Sequence, residues 1–218
     1  MLRADFHTHT KLSPCSNMSA EDLVRTALKR NLDVICVNDH NRIEGGLLVK
    51  KVAGKRLLII PAEEISSEAG HVIVWKSDGK YSRDTADIFD RAKDEGSFTV
   101  VPHAFDFGRI SFGDRLNEFK GKIGALEIFN ARCVFKDSNE RAKAFAEKNK
   151  IPKIVGSDAH FQEEVGRAVA VLDCEKNYDD IVECIRKGRV SFEVRKSLPF
   201  VHVKSMITKL QHGVIKTK

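Results

Sequence analysis

Histidine and acidic residues recur along this chain in short clusters, each at a point where a predicted strand ends. Three such clusters are Asp5, His7 and His9, then Asp39 and His40, and, much later in the chain, Asp158 and His160. Imidazole nitrogen is the commonest metal ligand in proteins, and carboxylates often accompany it. Clusters at both ends of one domain therefore predict a single metal centre assembled from several loops.

The spacing within the first two clusters suggests how their side chains converge. Side chains two positions apart in a strand face the same way, so Asp5, His7 and His9 can point into one cavity. In the second cluster His40 is the expected ligand. Asp39 is expected either to coordinate as well or to hold a histidine through its free ring nitrogen. An isolated H-x-H is a weak signal, and its repetition makes it informative.

Other acids and histidines adjoin further predicted strands. They are Glu63 and Glu64 after the run L-L-I-I-P-A, His71 before V-I-V-W, and His103 after V-V-P. Six of the eight histidines thus lie at predicted strand termini. His202 and His212 do not, and we expect them to be ordinary surface residues.

Alternating strand-like and helix-like segments predict the frame that positions these residues. Apolar runs predict strands at residues 2–7, 33–38, 57–60, 71–75, 98–102, 123–129, 153–156, 168–172 and 190–194. Helix signals cover residues 43–52, 84–95, 137–150 and 178–187, and Ser19 begins a further helix with acids in its first turn. This alternation implies a mainly parallel sheet that forms a closed or nearly closed barrel, where strand ends meet.

Composition favours one domain with a sizeable core. The chain has 218 residues, of which 42% are hydrophobic and 31% charged. It shows no apolar run of bilayer length and no signal peptide, so we expect a soluble, cytoplasmic protein without membrane contact. The five cysteines are widely spaced and odd in number, and we expect them to be reduced and mostly buried.

The net charge of +6 is concentrated partly at the end of the chain. Lys204, Lys209, Lys216 and Lys218 follow Glu193 with no further acid. Residues 199–218 are therefore expected to be a basic tail on a domain formed by residues 1–198. The charge favours phosphate-bearing partners, although a soluble basic surface explains it equally well.

The ordered motifs resemble those of a known superfamily. D-F-H-T-H, V-N-D-H, A-E-E-I-S, G-H-V-I-V-W, V-P-H-A and G-S-D-A-H resemble the successive motifs of the PHP superfamily, named for its polymerase and histidinol phosphatase members, over residues 5–160. The resemblance implies an α/β fold, a distorted (β/α)7 TIM-like barrel, with two or three divalent ions and phosphoesterase activity. The implied ligand positions are His7, His9, His40, Glu64, His71, His103, Asp158 and His160.

One motif departs from the family pattern. Many members carry an aspartate in a serine-aspartate-glycine turn after the H-x-H, where this chain has Cys15 between Pro14 and Ser16. Cys15 either replaces that ligand as a thiolate or is a small buried side chain. Glu127 in A-L-E-I-F-N is a possible ligand, an acid that supports one, or a salt-bridged strand residue.

These residues predict a phosphoesterase that uses hydroxide activated by zinc, manganese or iron, because mixed imidazole and carboxylate ligands suit those ions. Asp39, His103 or His160 is expected to relay a proton to the leaving oxygen, and Arg132 to clamp the phosphate. A phosphatase acting on a small phosphomonoester or a nucleotide is favoured. The chain has one tryptophan and two tyrosines, which argues against a base-stacking platform.

Three alternatives stay open. The first is a nuclease that acts on nucleic acid ends, for which the basic charge is the argument. The second is a non-catalytic PHP-like subunit of an RNA-processing complex; degenerate ligands would favour it, but every main motif here keeps its histidine or acid. The third, a metal-dependent hydrolase of C–N bonds on a (β/α)8 barrel, usually has a lysine or a late lone aspartate instead of S-D-A-H. The oligomeric state stays open too.

Overall fold

The secondary structure follows the predicted alternation closely. The computed structural model describes residues 1–213, apart from the side chain of Lys136. Its strands are β1 Leu2–Thr8, β2 Val34–His40, β3 Leu58–Ser66, β4 His71–Trp75, β5 Phe98–Val101, β6 Ala125–Asn130, β7 Lys153–Gly156, β8 Ala168–Leu172 and β9 Val190–Val194. Its helices are α1 Ala20–Lys29, α2 Glu44–Ala53, α3 Thr85–Asp94, α4 Leu116–Phe119 after a 3₁₀ turn at Gly113–Arg115, α5 Lys136–Asn149, α6 Tyr178–Arg186 and α7 Phe200–Gln211.

Local sequence explains where several helices begin. Ser19 caps α1, its hydroxyl accepting a hydrogen bond from the backbone N–H of Asp22, as the sequence predicted. Asp84 caps α3 and Asn177 caps α6 in the same manner. The two short elements at 113–119 and the helix α7 were not predicted. None of the helices within residues 1–213 is both long and apolar enough to cross a bilayer.

The strands form one curved sheet in the order β7-β6-β5-β4-β3-β2-β1-β8-β9. The pairs β1–β2, β2–β3, β5–β6 and β6–β7 are parallel, whereas β3–β4, β4–β5, β1–β8 and β8–β9 are antiparallel. The α/β barrel-like fold is confirmed, but the prediction of a mainly parallel sheet is wrong. Only four residues separate β3 from β4, which is too short a link for a parallel crossover.

The chain after β7 returns to β1 and nearly closes the barrel. Thr8 and Ala159 form a parallel bridge, and the N–H of His9 donates to the carbonyl of Ala159 at 2.8 Å. Gly156 permits this approach, since a Cβ there would lie 2.3 Å from the Cβ of His7. The carboxyl ends of β1 and β7 therefore meet at one end of the barrel.

Apolar side chains of the strands and helices form two buried clusters. Phe6, Trp75 and Phe98 form an aromatic row in the larger cluster, with ring centroids 5.1 Å and 5.0 Å apart. A second cluster packs α1 and α2 against β2 and β3. Four of the five cysteines are buried and Cys174 is half-buried, in line with the prediction.

The predicted basic tail contains a packed helix. Val201, Ser205 and Thr208 of α7 are buried, because α7 lies against the body of the protein. The sequence pattern missed this helix since its apolar residues also occupy its exposed side. Lys216 and Lys218, the other lysines of the predicted tail, lie outside the described residues.

Candidate metal centre

The structure brings together the side chains at all eight ligand positions that the resemblance implied. They are His7 and His9 at the end of β1, His40 in β2, Glu64 in β3, His71 in β4, His103 after β5, and Asp158 and His160 after β7. Each belongs to a group of three whose candidate ligand atoms lie within 4.8 Å of one another. All are buried except His40, whose side chain is 25% exposed.

Glu64 lies among three of the histidines. Its Oε1 is 2.9 Å from Nδ1 of His71 and 3.0 Å from Nε2 of His103, and its Oε2 is 2.9 Å from Nδ1 of His40. Oε2 is nevertheless buried without a hydrogen bond. Burial raises the pKa of Glu64, but the charges of His71 and His40 outweigh it and hold that pKa well below its usual value. An ionised, incompletely bonded oxygen here suits a cation.

Hydrogen bonds to the far side of two rings aim His7 and His9 at each other. Nδ1 of His7 lies 2.9 Å from Oε1 of Glu127, and Nδ1 of His9 lies 3.3 Å from Oγ of Ser13, which donates its own proton to Asp39. Both Nδ1 atoms are therefore assigned as donors, and the two Nε2 atoms face each other at 3.2 Å. Two neutral rings would oppose lone pairs at this distance.

A shared cation removes that conflict, and in its absence a proton does so. Burial lowers the pKa of His7, but the charges of Asp158 and Glu127 outweigh burial and raise it well above its usual value. Burial lowers the pKa of His9. The metal-free pair therefore holds one extra proton on His7, which a divalent ion would replace. The two facing Nε2 atoms therefore fit a site for a metal ion.

Asp158 faces both of these rings and is held from behind. Its Oδ1 lies 3.2 Å from Nε2 of His9 and 3.5 Å from Nε2 of His7, while Oδ2 forms an ion pair with Arg109 and accepts a hydrogen bond from Asn130. Burial raises the pKa of Asp158, but Arg109 and His7 hold it well below its usual value. The carboxylate is thus ionised and oriented.

Arg109 is a functional candidate that sequence reasoning missed. It lies in the loop after β5, where it also pairs with Asp106 at 2.9 Å and donates to Asn130 at 3.2 Å. No motif surrounds it, because its partners Asn130 and Asp158 come from distant segments. A basic residue shortly after the V-P-H-A motif is the only signal that pointed to it.

Glu127 supports ligands from behind. Besides Nδ1 of His7, it accepts hydrogen bonds from the backbone N–H of His103 at 2.8 Å and from the amide of Asn130 at 2.9 Å. It belongs to none of the four candidate ligand groups. Of the three alternatives that the sequence left open, the contacts favour an acid that fixes the ring of a ligand.

Asp5 and Asp39, expected to face the metals, are occupied elsewhere. The carboxylate of Asp5 accepts hydrogen bonds from Ser157 and Gly166. A register shift in the pairing of β1 with β2 falls between Asp5 and Thr8. Asp39 accepts three hydrogen bonds from Thr10 and Ser13 and is not at ligand distance. It reaches His9 only through Ser13, so neither role expected for it fits its contacts.

Arg132, expected to clamp a phosphate, borders the cavity beside the cluster, but its guanidinium is bonded to protein groups. Its Nε lies 3.2 Å from Oε1 of Glu164, and Nη2 donates to the carbonyl of Val201 and to Oγ of Ser205. The side chain is 5% exposed. Through these bonds Arg132 fastens α7 to the loop after β6, and Arg109 is the arginine that contacts the candidate ligand Asp158.

A cavity of about 630 Å³ opens beside the cluster. Its charged and polar lining includes His40, His71, His103, Asp158, His160 and Arg109, together with His202, Ser205 and Lys209 of α7. His202, expected at the surface, is half-buried here, and burial together with the charges of Arg132 and Arg109 lowers its pKa. Apolar side chains of Ile110, Val134, Phe135 and Met206 line the rest. Of the predicted proton relays, His103 and His160 line the cavity and Asp39 does not.

Comparisons with known proteins identify the family and the fold. Residues 136–190 match the model of the PHP-associated family. An uncharacterized protein of Methanocaldococcus jannaschii is 30% identical over 174 residues, which cover 77% of this chain and 69% of that protein. The crystal structure of a two-domain Bacteroides vulgatus protein containing a predicted PHP-like metal-dependent phosphoesterase aligns with a TM-score of 0.76 and 18% identity, over 95% of this chain and 69% of that one. The chain belongs to the PHP superfamily.

PsfC from Pseudomonas syringae has a similar fold. Its structure aligns with a TM-score of 0.69 and 18% identity, over 97% of this chain and all of that chain. At such identities the likeness bears on the fold. It confirms that the nearly closed sheet is a PHP-type barrel, and the described histidine and acid groups indicate binding of divalent metal at its end.

Proposed function

We propose that this PHP protein is a metal-dependent phosphatase that hydrolyses a small phosphomonoester. The observation that carries the proposal is the cluster itself, in which six histidines and two ionised carboxylates converge beside a cavity lined by Arg109 and Lys209. Divalent ions bound there would supply charge for the phosphoryl oxygens and lower the pKa of a bound water. Imidazole-rich ligation leaves surplus positive charge, which an anionic substrate neutralises.

The protein's own residues prepare the site for such a substrate. Glu127 keeps the Nδ1 proton on His7, so that Nε2 faces the centre. Arg109 orients Asp158 while 23% of its own side chain remains exposed to the cavity, where the guanidinium can also meet a phosphoryl oxygen. Burial of the ligands excludes bulk water and strengthens these interactions.

The cavity supports a small substrate over a nucleic acid. Its volume lies in the range of small-molecule sites. Its mouth carries the exposed side chains of Val134, Phe135 and Met206, which are 56%, 57% and 53% exposed. An ester whose alcohol has an apolar or aromatic face, such as an aryl or nucleoside phosphate, would cover them.

The experiment is a turnover screen of the purified protein with its metal content measured. Aryl phosphates, nucleoside monophosphates, sugar phosphates and short oligonucleotides should be tested with zinc, manganese and iron. We expect monoester hydrolysis, reduced at least about a hundredfold in Asp158→Asn because a ligand and the partner of Arg109 are lost together. Glu63→Gln is the matched control, since Glu63 bonds Ser77 outside the cluster.

Two results would count against the proposal. A metal-loaded parent protein that turns over none of these esters would remove phosphatase activity. Faster turnover of oligonucleotides than of monoesters would favour the nuclease alternative instead.

A further inference from the structure

Cys15 lies beside the histidines of the candidate metal centre and belongs to neither apolar cluster. Its Sγ is 3.0 Å from Nε2 of His160, a residue 145 positions later in the chain. The side chain is 4% exposed and lines the cavity together with His40 and His160. A cysteine that served only for packing would be expected to contact apolar side chains.

Three histidines next to this thiol form one of the four candidate ligand groups, and two of them, His9 and His40, each belong to a second group as well. His9, His40 and His160 offer ring nitrogens within 4.8 Å of one another. Nδ1 of His160 lies 2.8 Å from the backbone oxygen of Asp158 and is its donor, so the lone pair of the neutral ring is on Nε2, facing Sγ. The ring of His9 lies 4.3 Å from that of His160 and 4.7 Å from that of His40, measured between centroids.

The carboxylates near this group, Glu64 and Asp158, are shared with other histidines of the cluster. Three neutral imidazoles give a divalent ion no compensating charge. Oε2 of Glu64 lies 2.9 Å from Nδ1 of His40, but Oε1 of the same carboxylate faces His71 and His103. Oδ1 of Asp158 lies 3.2 Å from Nε2 of His9 and also faces His7. Next to Nε2 of His160 the donor is the thiol of Cys15.

We propose that Cys15 is a sulfur ligand of a divalent ion bound by His9, His40 and His160. The S–H bond breaks as the sulfur–metal bond forms, and the proton is released to solvent. Three imidazoles and one thiolate favour zinc or cobalt over manganese, which prefers oxygen ligands. The inference rests on the metal binding that the proposed function needs, and does not depend on hydrolysis.

Cobalt absorption tests this assignment directly. Metal-free protein is titrated with cobalt(II) without oxygen, using a phosphine reductant that leaves no competing thiol. A thiolate ligand produces a near-ultraviolet charge-transfer band that nitrogen and oxygen ligands lack. We expect the band in the parent and its loss in Cys15→Ser and Cys15→Asp, with cobalt stoichiometry preserved in Cys15→Asp because a carboxylate replaces the thiolate.

The other cysteines provide controls. Cys174→Ser removes a half-buried thiol far from the cavity, and Cys133→Ala removes a buried one in the loop after β6. Both variants should keep the band. Circular dichroism of every variant verifies the fold. A band that persists in folded Cys15→Ser, or a parent that binds cobalt without it, would overturn the proposal.

A second measurement needs no variant. Iodoacetamide labelling of the parent, followed by peptide mass spectrometry, should show Cys15 protected about tenfold or more by zinc, since a coordinated sulfur is a poor nucleophile. The labelling rate of Cys174 should not change. Labelling of Cys15 that ignores zinc contradicts sulfur ligation. An intact cobalt band without any ester hydrolysis would leave the ligand assigned and refute the phosphatase.

Discussion

At the residue scale, two neighbouring glutamates have different roles although they are adjacent in the sequence. Glu63 and Glu64 are adjacent in β3, and alternation sends their side chains to opposite faces. Glu64 enters the cluster, whereas Glu63 accepts a hydrogen bond from Ser77 at 2.7 Å. Burial raises the pKa of Glu63, while the imidazoles around Glu64 hold its pKa low. Identical side chains therefore have opposite electrostatic surroundings.

Glu64→Gln should lower the number of bound metal ions and abolish hydrolysis. The amide keeps the shape but removes the charge that faces His40, His71 and His103. Metal analysis after gel filtration measures the loss, with Glu63→Gln as the control that should retain the parent's stoichiometry. Equal metal content in the two variants would contradict the placement of Glu64 at the centre.

The raised pKa of His40 leads us to expect that the stability of the metal-free protein depends on pH. Burial lowers the pKa of this histidine, but the charge of Glu64 outweighs burial and raises it to about 10 from the ordinary 6.5. The folded state therefore binds the proton more tightly than the unfolded state. This contribution to stability is fully present below about pH 6.5 and is lost as the pH rises towards 10.

The test compares chelated parent and His40→Gln by denaturant unfolding between pH 6.5 and 10. The stability advantage of the parent should shrink steadily with rising pH. His212→Gln, which removes an exposed histidine after α7, should show a constant difference instead. With zinc present the trend should reverse, because the metal competes with the proton for His40. A parent advantage that does not vary with pH would refute the raised pKa.

At the scale of elements, α7 is the part whose role differs most from expectation. Arg132 holds it through the carbonyl of Val201 and the hydroxyl of Ser205, and Glu164 balances the buried charge. Through this anchor, His202 and Lys209 come to line the cavity. A segment expected to be part of a basic tail thus forms a helix that lines one wall of the cavity.

Arg132→Met should loosen α7 and reduce the free energy of unfolding by roughly 3 kcal/mol, since it leaves Glu164 buried without its partner. Hydrogen exchange should accelerate in Phe200–Gln211 more than in the sheet. Arg195→Met, at an exposed arginine, is the control and should change neither quantity. Unchanged exchange in α7 would show that other contacts hold the helix.

For the whole molecule, the metal centre joins distant parts of one sheet. Two of the candidate ligand groups together draw on β1 to β4 and on the loops after β5 and β7. One group is His7, His103 and Asp158, and the other is His40, Glu64 and His71. The apolar clusters are formed by other side chains of the strands and by the helices, and do not include these residues. Metal should therefore stabilise a fold that its core already specifies.

Removing the metal should lower the melting temperature while the secondary structure persists. A ligand that binds only the folded state adds about 2.7 kcal/mol when its free concentration is a hundred times Kd. Circular dichroism melts of chelated protein, titrated with zinc, measure this. Loss of the helical signal at room temperature on chelation would mean that the core cannot hold the barrel alone. A melting temperature insensitive to zinc would argue against specific binding.

The amino-acid sequence by itself predicted the candidate ligand residues and determined their placement at strand ends. Apolar runs that stop at polar residues are local patterns, and local spacing reports them faithfully. It also determined the strands β4, β7, β8 and β9 with their observed bounds. The sequence did not reveal the four antiparallel pairings or the register shift after Asp5. It also did not reveal the left-handed backbone of His103 and Asp158, whose φ angles are 30° and 55°.

Only the tertiary structure decided which charged groups support the ligands. Arg109 meets Asp158 across 49 positions, and Arg132 meets Ser205 across 73. Asp39 belongs to no candidate ligand group, and Thr10 and Ser13 from another loop supply its hydrogen bonds. Such partners are chosen by the way distant segments pack, where a buried charge must find whichever donor or acceptor the fold brings near.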